Sequence, residues 1–355
     1  MKARLLILGA GTAAGENLLR SLAVADPSLV LLGGNHDRFV LKHSTAAGAY
    51  LVPSPDDPRF AAGLGRLAGE AGIDLVIPTT DRHVRALSDG RRHLPGRVFL
   101  PSPRVVRLCT DKHRLTTFLR SRGVAAPETR MVTSLDAVER IFARFPDRPL
   151  WCRPRTGTCA RGGGAVRDPE QARQWMVLWW TRQQVPVRSF TLAEYLPGRE
   201  ILCQSLWRRG RLVLVNTFER LSYFGTDNIP SGVTSLSSLA KTVVEPGVVD
   251  LCRRAVLAVA PRADGAFSID VKEDATGRPH VTEINAGRFF MAMTAFDRIL
   301  KHSMALTYVR LALGAPVDFR DEYDAAHDHF MVRDMDSAPG IFHADELFQG
   351  IEEVR

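Results

Sequence analysis

Three side chains toward the end of the chain could share one chemistry. Asp270, Glu283 and Asn285 lie in the stretch GAFSIDVKEDATGRPHVTEINAGRFF, from Gly265 to Phe290. It reads as two apolar strands joined by a turn containing Gly277 and Pro279, which is the composition of a hairpin. Such a hairpin can aim two carboxylates and an amide at one point. Hard oxygen ligands in ones and twos suit Mg²⁺ on a nucleotide phosphate, because the ion keeps most of its shell for water and phosphate oxygens. Taken alone, the same residues fit a solvated hairpin with scattered acids equally well, so the elements around them decide.

Composition narrows those elements. A chain of 355 residues, 45% hydrophobic and 24% charged, is ordinary for a globular protein of about two domains. The opening MKARLLILGAGTAAG has too short an apolar run for a signal segment or a membrane span, and no later stretch is long enough either. The expectation is a cytoplasmic protein with no membrane partner. Cys109, Cys152, Cys159, Cys203 and Cys252 are widely spaced and form no C-x-x-C pair, which suggests neither a disulfide framework nor a zinc site. The net charge is +8, from 47 Lys and Arg against 39 Asp and Glu. Six of the 47 are lysine, and the arginines are spread along the whole chain instead of forming a basic arm. No nucleic-acid partner is expected, whereas a small polyanion is compatible.

The segment LLILGAGTAAG reads as a buried strand, a glycine turn and a helix. Gly9, Gly11 and Gly15 form a loose dinucleotide fingerprint, but no acid stands in the expected place after LVLLGGN, so a structural β-α turn is favoured over nicotinamide binding. LVLLGG, YLVP, DLVIP and RVFLP then alternate with helical patterns, which predicts a parallel sheet with helices on both faces. Thr79, Thr80 and Asp81 follow one of these strands, where open α/β sheets present ligand loops. They serve equally well as a helix N-cap.

The pattern changes at Pro101 to Pro103, and a helix closed by Gly123 with Pro127 beyond it follows. Next come the strand and glycine-rich loop RPLWCRPRTGTCARGGGAVRD and the helix PEQARQWMVLWWTRQQ, whose Trp175, Met176, Trp179 and Trp180 read as core. His327, Asp328 and His329 alternate as metal ligands can, but a third ligand is not suggested.

Four elements in order now resemble the ATP-grasp family. They are Asp111-Lys112 leading a helix that ends in GVAAP, the loop WCRPRTGTCARGGG, the segment AEYLPGRE, and the D…EIN hairpin. The resemblance covers roughly Pro101 to Arg320. Within the family the chain is most similar to a single synthetase unit of the carbamoyl-phosphate synthetase large subunit, a carboxylate–amine ligase type. It has one such unit and no recognisable allosteric domain. The fold this implies is α/β, with an amino-terminal Rossmann-like parallel-sheet domain (1–103), a two-lobed ATP-grasp α+β region (104–320) and a carboxyl-terminal appendage (321–355).

The resemblance also implies roles. ATP would be held by Lys112, by Arg153, whose planar fork suits phosphate, and by Gly162 and Gly163 of a closing flap. Glu194, Tyr195 and Leu196 would meet adenine, and Glu200 the ribose hydroxyls. Asp270, Glu283 and Asn285 would hold Mg²⁺ or Mn²⁺. Arg153 and Arg288 are the catalytic candidates, offsetting charge as the phosphoryl group moves. Thr80, Asp81, Arg220, Ser231 and Thr234 are candidates for substrate contact. Some relatives carry an arginine two residues before the first metal acid, where this chain has Ser268; Arg288 or Lys272 would take its work.

The activity expected is an ADP-forming, C–N bond-forming ligase that phosphorylates a small-molecule carboxylate and joins it to an amine. Alternatives are a bicarbonate-using synthetase that makes carboxyphosphate or carbamoyl phosphate, and a nucleotide-binding regulatory protein without turnover. A homodimer is compatible with each of these.

Overall fold

The computed structural model describes residues 3–146, 149–157, 160–225, 234, 236–291, 293–334 and 340–346. Its amino-terminal sheet is parallel, with β1 (Arg4–Leu8), β2 (Val30–Asn35), β3 (Gly48–Leu51) and β4 (Leu75–Ile77) in the order β3-β2-β1-β4. Strands covered by helices on both faces must be apolar throughout, and Leu5, Leu6, Ile7 and Leu8 are fully buried. Helices α1 (Ala13–Ala25), α2 (Arg38–Leu41), α3 (Phe60–Glu70) and α4 (Asp81–Asp89) supply the connections. RVFLP, expected as another strand, is not one. It meets β4 through a hydrogen bond from Val76 N to Arg97 O, and the flanking Pro95 and Pro101 lack the donors a ladder needs.

The first glycine turn satisfies itself. Gly11 N donates to Glu16 Oε1 at 2.7 Å, and Glu16 Oε2 accepts from Thr45 N and Oγ1. An internal carboxylate thus occupies the helix N-terminus that a dinucleotide phosphate would use, in keeping with a structural turn. Gly15 is required by packing, since a Cβ there would lie 2.3 Å from Gly9 O.

After α5 (Pro103–Thr110) and α6 (Lys112–Ser121), a small antiparallel sheet contains β5 (Thr129–Met131), β6 (Leu150–Pro154), β7 (Gly164–Val166) and β8 (Phe190–Glu194) in the order β5-β8-β6-β7. Helices α7 (Ala137–Phe142) and α8 (Pro169–Gln183) back it. Met176 is fully buried in this core, Trp175 and Trp179 pack against it, and Trp180 stays 47% exposed.

The large sheet is antiparallel. It contains β9 (Glu200–Arg208), β10 (Arg211–Tyr223), β11 (Ser237–Thr242), β12 (Gly265–Glu273), β13 (Pro279–Ala286), β14 (His329–Val332) and β15 (Gly340–His343), in the order β13-β12-β9-β10-β11-β14-β15. Helices α6 and α9 (Pro246–Val259) cover one face through Leu115, Leu119, Val248, Leu251 and Val256. The other face changes role along its length. Leu206, Leu214 and Ala266 share a core with Leu5 and Ile7 of β1 and with Met304 and Tyr308 of α10 (Met304–Ala312). At the opposite end of that face, Glu200, Arg220, Asp270 and Glu283 line a cleft. The four cysteines among the described residues are free and buried, and no described helix is long and apolar enough to cross a membrane.

Candidate active site

The Gly265 to Phe290 hairpin forms as β12 and β13. Its turn is closed by Asp274, whose Oδ1 accepts from Thr276 N and Arg278 N, while Gly277 takes φ +80° as such a turn requires. Asp270 stands directly opposite Glu283, so the two carboxylates share a face. A bulge beside this pair leaves Thr282 out of register, and its freed carbonyl accepts from Arg153 Nη2 at 3.0 Å. The bulge therefore brings a guanidinium from the small sheet to the hairpin.

The carboxylates meet cations from three other elements. Lys112 Nζ lies 3.4 Å from Glu283 Oε1 and donates to Gly157 O at 2.7 Å, and Arg153 Nη1 lies 3.7 Å from Glu283 Oε2. Lys112 opens α6, where a cation opposes the helix dipole by about 0.3–1 kcal/mol, so helix stability does not explain its position. Arg220 Nη1 donates to Asp270 Oδ1 at 2.9 Å and also to Glu200 Oε1, whose other oxygen accepts from Tyr223 Oη. Arg220 faces Glu200 across the strands, and a bulge at Ser222 turns Tyr223 onto the same side. Asn285 Nδ2 donates to Asp270 Oδ2 at 2.9 Å, while its Oδ1 accepts from Arg288 Nη2 at 2.5 Å. Arg288 also pairs with Asp81.

Burial and charge oppose each other here. Burial lifts the Asp270 carboxyl to about 6 against the pull of Arg220, with Glu283 adding to the rise. Burial is also the largest single effect on Glu200, but Arg220, Tyr223 and Lys272 together outweigh it and hold that group below its ordinary value. For Asp81 the burial effect is overcome by Arg288 and Lys112 together. Arg153 is buried enough for its pKa to fall despite Glu283, and its Nε has no hydrogen-bond partner among the described residues. A buried donor without a partner calls for an explanation, and an acceptor bound in the cleft that Arg153 lines would supply one.

The cleft, about 250 Å³, lies between the two antiparallel sheets. It is lined by Lys112, Arg153, Gly163, Glu194, Tyr195, Leu196, Glu200, Asp270, Glu283, Asn285 and Arg288. Thr80, Asp81, Arg220, Thr234 and Lys272 line it as well. Ser231 falls outside the described residues. The loop after β6 folds back through Gly162 at φ +74°, and Trp175 Nε1 donates to Gly162 O at 3.0 Å. A Cβ on Gly162 would lie 2.9 Å from Pro154, and one on Gly163 would lie 3.0 Å from the Trp151 ring. Arg155 pairs with Asp111, and Lys112 N donates to Arg155 O, so Asp111 and Lys112 together hold the base of this loop.

Several candidates have partners that the sequence did not announce. Thr80 caps α4 by accepting from His83 N, whereas its neighbour Asp81 is turned into the cleft. The Glu194 carboxylate accepts from Glu128 N at 2.7 Å. Ser268 is sealed in the sheet with its Oγ on Arg288 O, and the guanidinium that reaches Asp270 is that of Arg220. The Lys272 side chain makes no hydrogen bond or ion pair among the described residues, although it stands opposite Glu200. His329 Nδ1 pairs with His327 O and its ring meets that of His343 edge-on.

Among the described residues no group of three or more His, Cys, Asp or Glu side chains gathers to hold a metal alone. Asp270, Glu283 and the Asn285 amide are a hard, oxygen-bearing and incomplete donor set. That suits Mg²⁺, which takes its remaining ligands from water and phosphate, and it does not suit zinc.

No family model and no curated protein matches the sequence. Solved structures do match the fold. It is similar to the L-amino acid ligase of Bacillus licheniformis, with TM-score 0.70 and 14% identity over 93% of this chain and 79% of that one. It is similar to the biotin carboxylase domain of Hydrogenobacter thermophilus 2-oxoglutarate carboxylase, solved with MgADP, ADP and bicarbonate, with TM-score 0.69 and 15% identity over 94% and 74% of the two chains. It is also similar to Staphylococcus aureus N5-carboxyaminoimidazole synthetase complexed with ADP, with TM-score 0.68 and 12% identity over 94% and 82%. The chain has the ATP-grasp fold.

Proposed function

We propose that the protein is an ATP- and Mg²⁺-dependent, ADP-forming ligase that activates a small carboxylate and joins it to an amine. The observation that carries this reading is the pairing of Asp270 and Glu283 on adjacent strands, facing Lys112 and Arg153 across one cleft. A cleft with two carboxylates and convergent cations suits a metal–polyphosphate complex. The ligases and carboxylases that share the fold support it.

In this reading Asp270, Glu283 and Asn285 hold Mg²⁺, while Lys112 and Arg153 take phosphate oxygens. ATP would supply its γ-phosphoryl group to a carboxylate oxygen, with ADP leaving, so that the acyl carbon carries phosphate, a good leaving group, in place of oxide; attack by the amine would then expel inorganic phosphate and a proton. Gly162 and Gly163 let the loop backbone close near the phosphates and exclude water. Tyr195 and Leu196, at the crossing between the two sheets, meet the base. The Glu200 carboxylate stays ionised beside Arg220 and can accept from the ribose. Arg288, aimed into the cleft, offsets charge near the transferred group. The substrates are small molecules, and the reading is of a cytoplasmic enzyme.

The test is a screen for phosphate and ADP release over small carboxylates, bicarbonate and amines, with mass spectrometry of the products. The expected result is ADP formation that requires both an organic acid and Mg²⁺. ADP formation with bicarbonate and no organic acid would overturn the choice of acid. The absence of nucleotide binding would overturn the whole reading.

A further inference from the structure

The pair formed by Arg288 and Asp81 is not explained by a nucleotide. Arg288 Nε donates to Asp81 Oδ1 at 2.5 Å and Arg288 Nη2 to Asp81 Oδ2 at 3.0 Å, bridging the amino-terminal sheet and the hairpin across 207 residues. The side chains are 16% and 19% exposed, and both line the cleft. Asp81 is not needed to cap its helix, because Thr80 does so. Its carboxylate has no bonded partner except Arg288 among the described residues.

If Arg288 turns to an anion in the cleft, Asp81 becomes a largely buried carboxylate without a counterion. Lys112, the other cation that acts on it, is already engaged by Gly157 O and Glu283. Removing one partner from a buried ion pair is strongly unfavourable, since the remaining charge has lost both water and its partner. A ligand that brings only a carboxylate meets that penalty in full. A ligand with a carboxylate and an ammonium close together replaces the pair charge for charge. In an α-amino acid, one carbon separates the two groups. Phe290 and Met291 follow Arg288 and offer apolar surface to a side chain, while the Thr79 and Thr80 hydroxyls on the other wall are engaged by Leu8 O and His83 N.

The geometry points to an α-amino acid as the carboxylate substrate, with its carboxylate on Arg288 and its ammonium on Asp81. This inference rests on the ligase reading above and adds the substrate class.

The test is calorimetric titration of the full chain, loaded with MgADP, using the proteinogenic amino acids and matched acids that lack the amine. Suitable pairs are alanine with propionate, valine with isovalerate and glutamate with glutarate. At least one amino acid is expected to bind about tenfold or more tightly than its deaminated counterpart. Asp81→Asn is expected to erase most of that ratio while changing ADP affinity by less than about threefold. Asp81→Glu keeps the charge and is expected to keep the preference, which covers the case in which the neutral variant does not fold.

Equal binding of the two members of each pair overturns the inference. So does ADP binding with no amino acid bound. Equal weakening of both members by Asp81→Asn assigns Asp81 to the positioning of Arg288 and also overturns it. A chain that binds no ADP overturns the ligase reading and this inference together.

Discussion

The buried hydroxyl of Ser268 donates to the backbone carbonyl of Arg288 at 2.8 Å, so β12 anchors the residue that follows β13. This bond holds the start of the Arg288 segment while its guanidinium reaches Asn285 and Asp81. Ser268→Ala leaves a carbonyl without that donor in a sealed environment, which costs about 1–3 kcal/mol. Denaturant unfolding should show that loss, and ADP formation should fall with it. Unchanged stability would remove the anchoring role.

Glu283→Ala takes away one of the two paired carboxylates. ADP formation should disappear while circular dichroism still reports a folded chain. Retained turnover in this variant would sink the assignment of the hairpin to metal and nucleotide.

Two cations in the cleft should respond differently to the same change. Arg220, with its side chain 9% exposed, answers both Glu200 and Asp270, so Arg220→Met leaves two carboxylates uncompensated and should cost about 3–5 kcal/mol. The Lys272 side chain has no bonded partner to orphan among the described residues. Lys272→Met should leave stability within about 0.5 kcal/mol and weaken ADP binding in titration. Equal destabilisation by the two changes would contradict this division.

His83 should give the fold an acid-sensitive limb. Its ring is 5% exposed, stacks on Phe60 at 6.2 Å and carries an Nδ1 without a partner among the described residues. Burial, with His36 and Arg82 nearby, depresses its pKa from 6.5 to about 4. The unfolded chain therefore takes up this proton first, and stability falls as pH drops from 6.5 toward about 4. The full loss is about 3 kcal/mol. Unfolding curves at stepped pH should show this slope in the wild type and a flatter one in His83→Leu. Equal slopes would assign the acid limb to other groups.

The hairpin, the glycine loop and the Lys112 helix were legible because their signals are local. Asp270 and Glu283 sit on a short hairpin whose turn residues fix the register, and glycines beside a strand mark a close approach by type alone. What stayed hidden depends on distant pairing. Nothing near Asp81 announces Arg288, because the contact exists only once β4 and β13 belong to one packed body. Tyr223 could not be read as a partner of Glu200, since a spacing of three from Arg220 puts it on the opposite face until the bulge at Ser222 reverses it. RVFLP had the apolar content of a strand and lies beside the edge strand β4, but its prolines lack the donors a ladder needs. The tail after Arg320 read as an appendage; its β14 extends the large sheet by pairing with β11, more than ninety residues earlier (Leu239 with Val332), and β15 pairs in turn with β14.

Two indoles touch the glycine loop from different sides. Trp175 donates to the carbonyl of Gly162, and the ring of Trp151 lies where a side chain on Gly163 would stand. Indole emission depends on hydrogen bonding and on exposure to water, so any displacement of the loop alters both chromophores at once. The chain thus carries a built-in optical probe of its own loop, which stopped-flow fluorescence could follow on unlabelled protein.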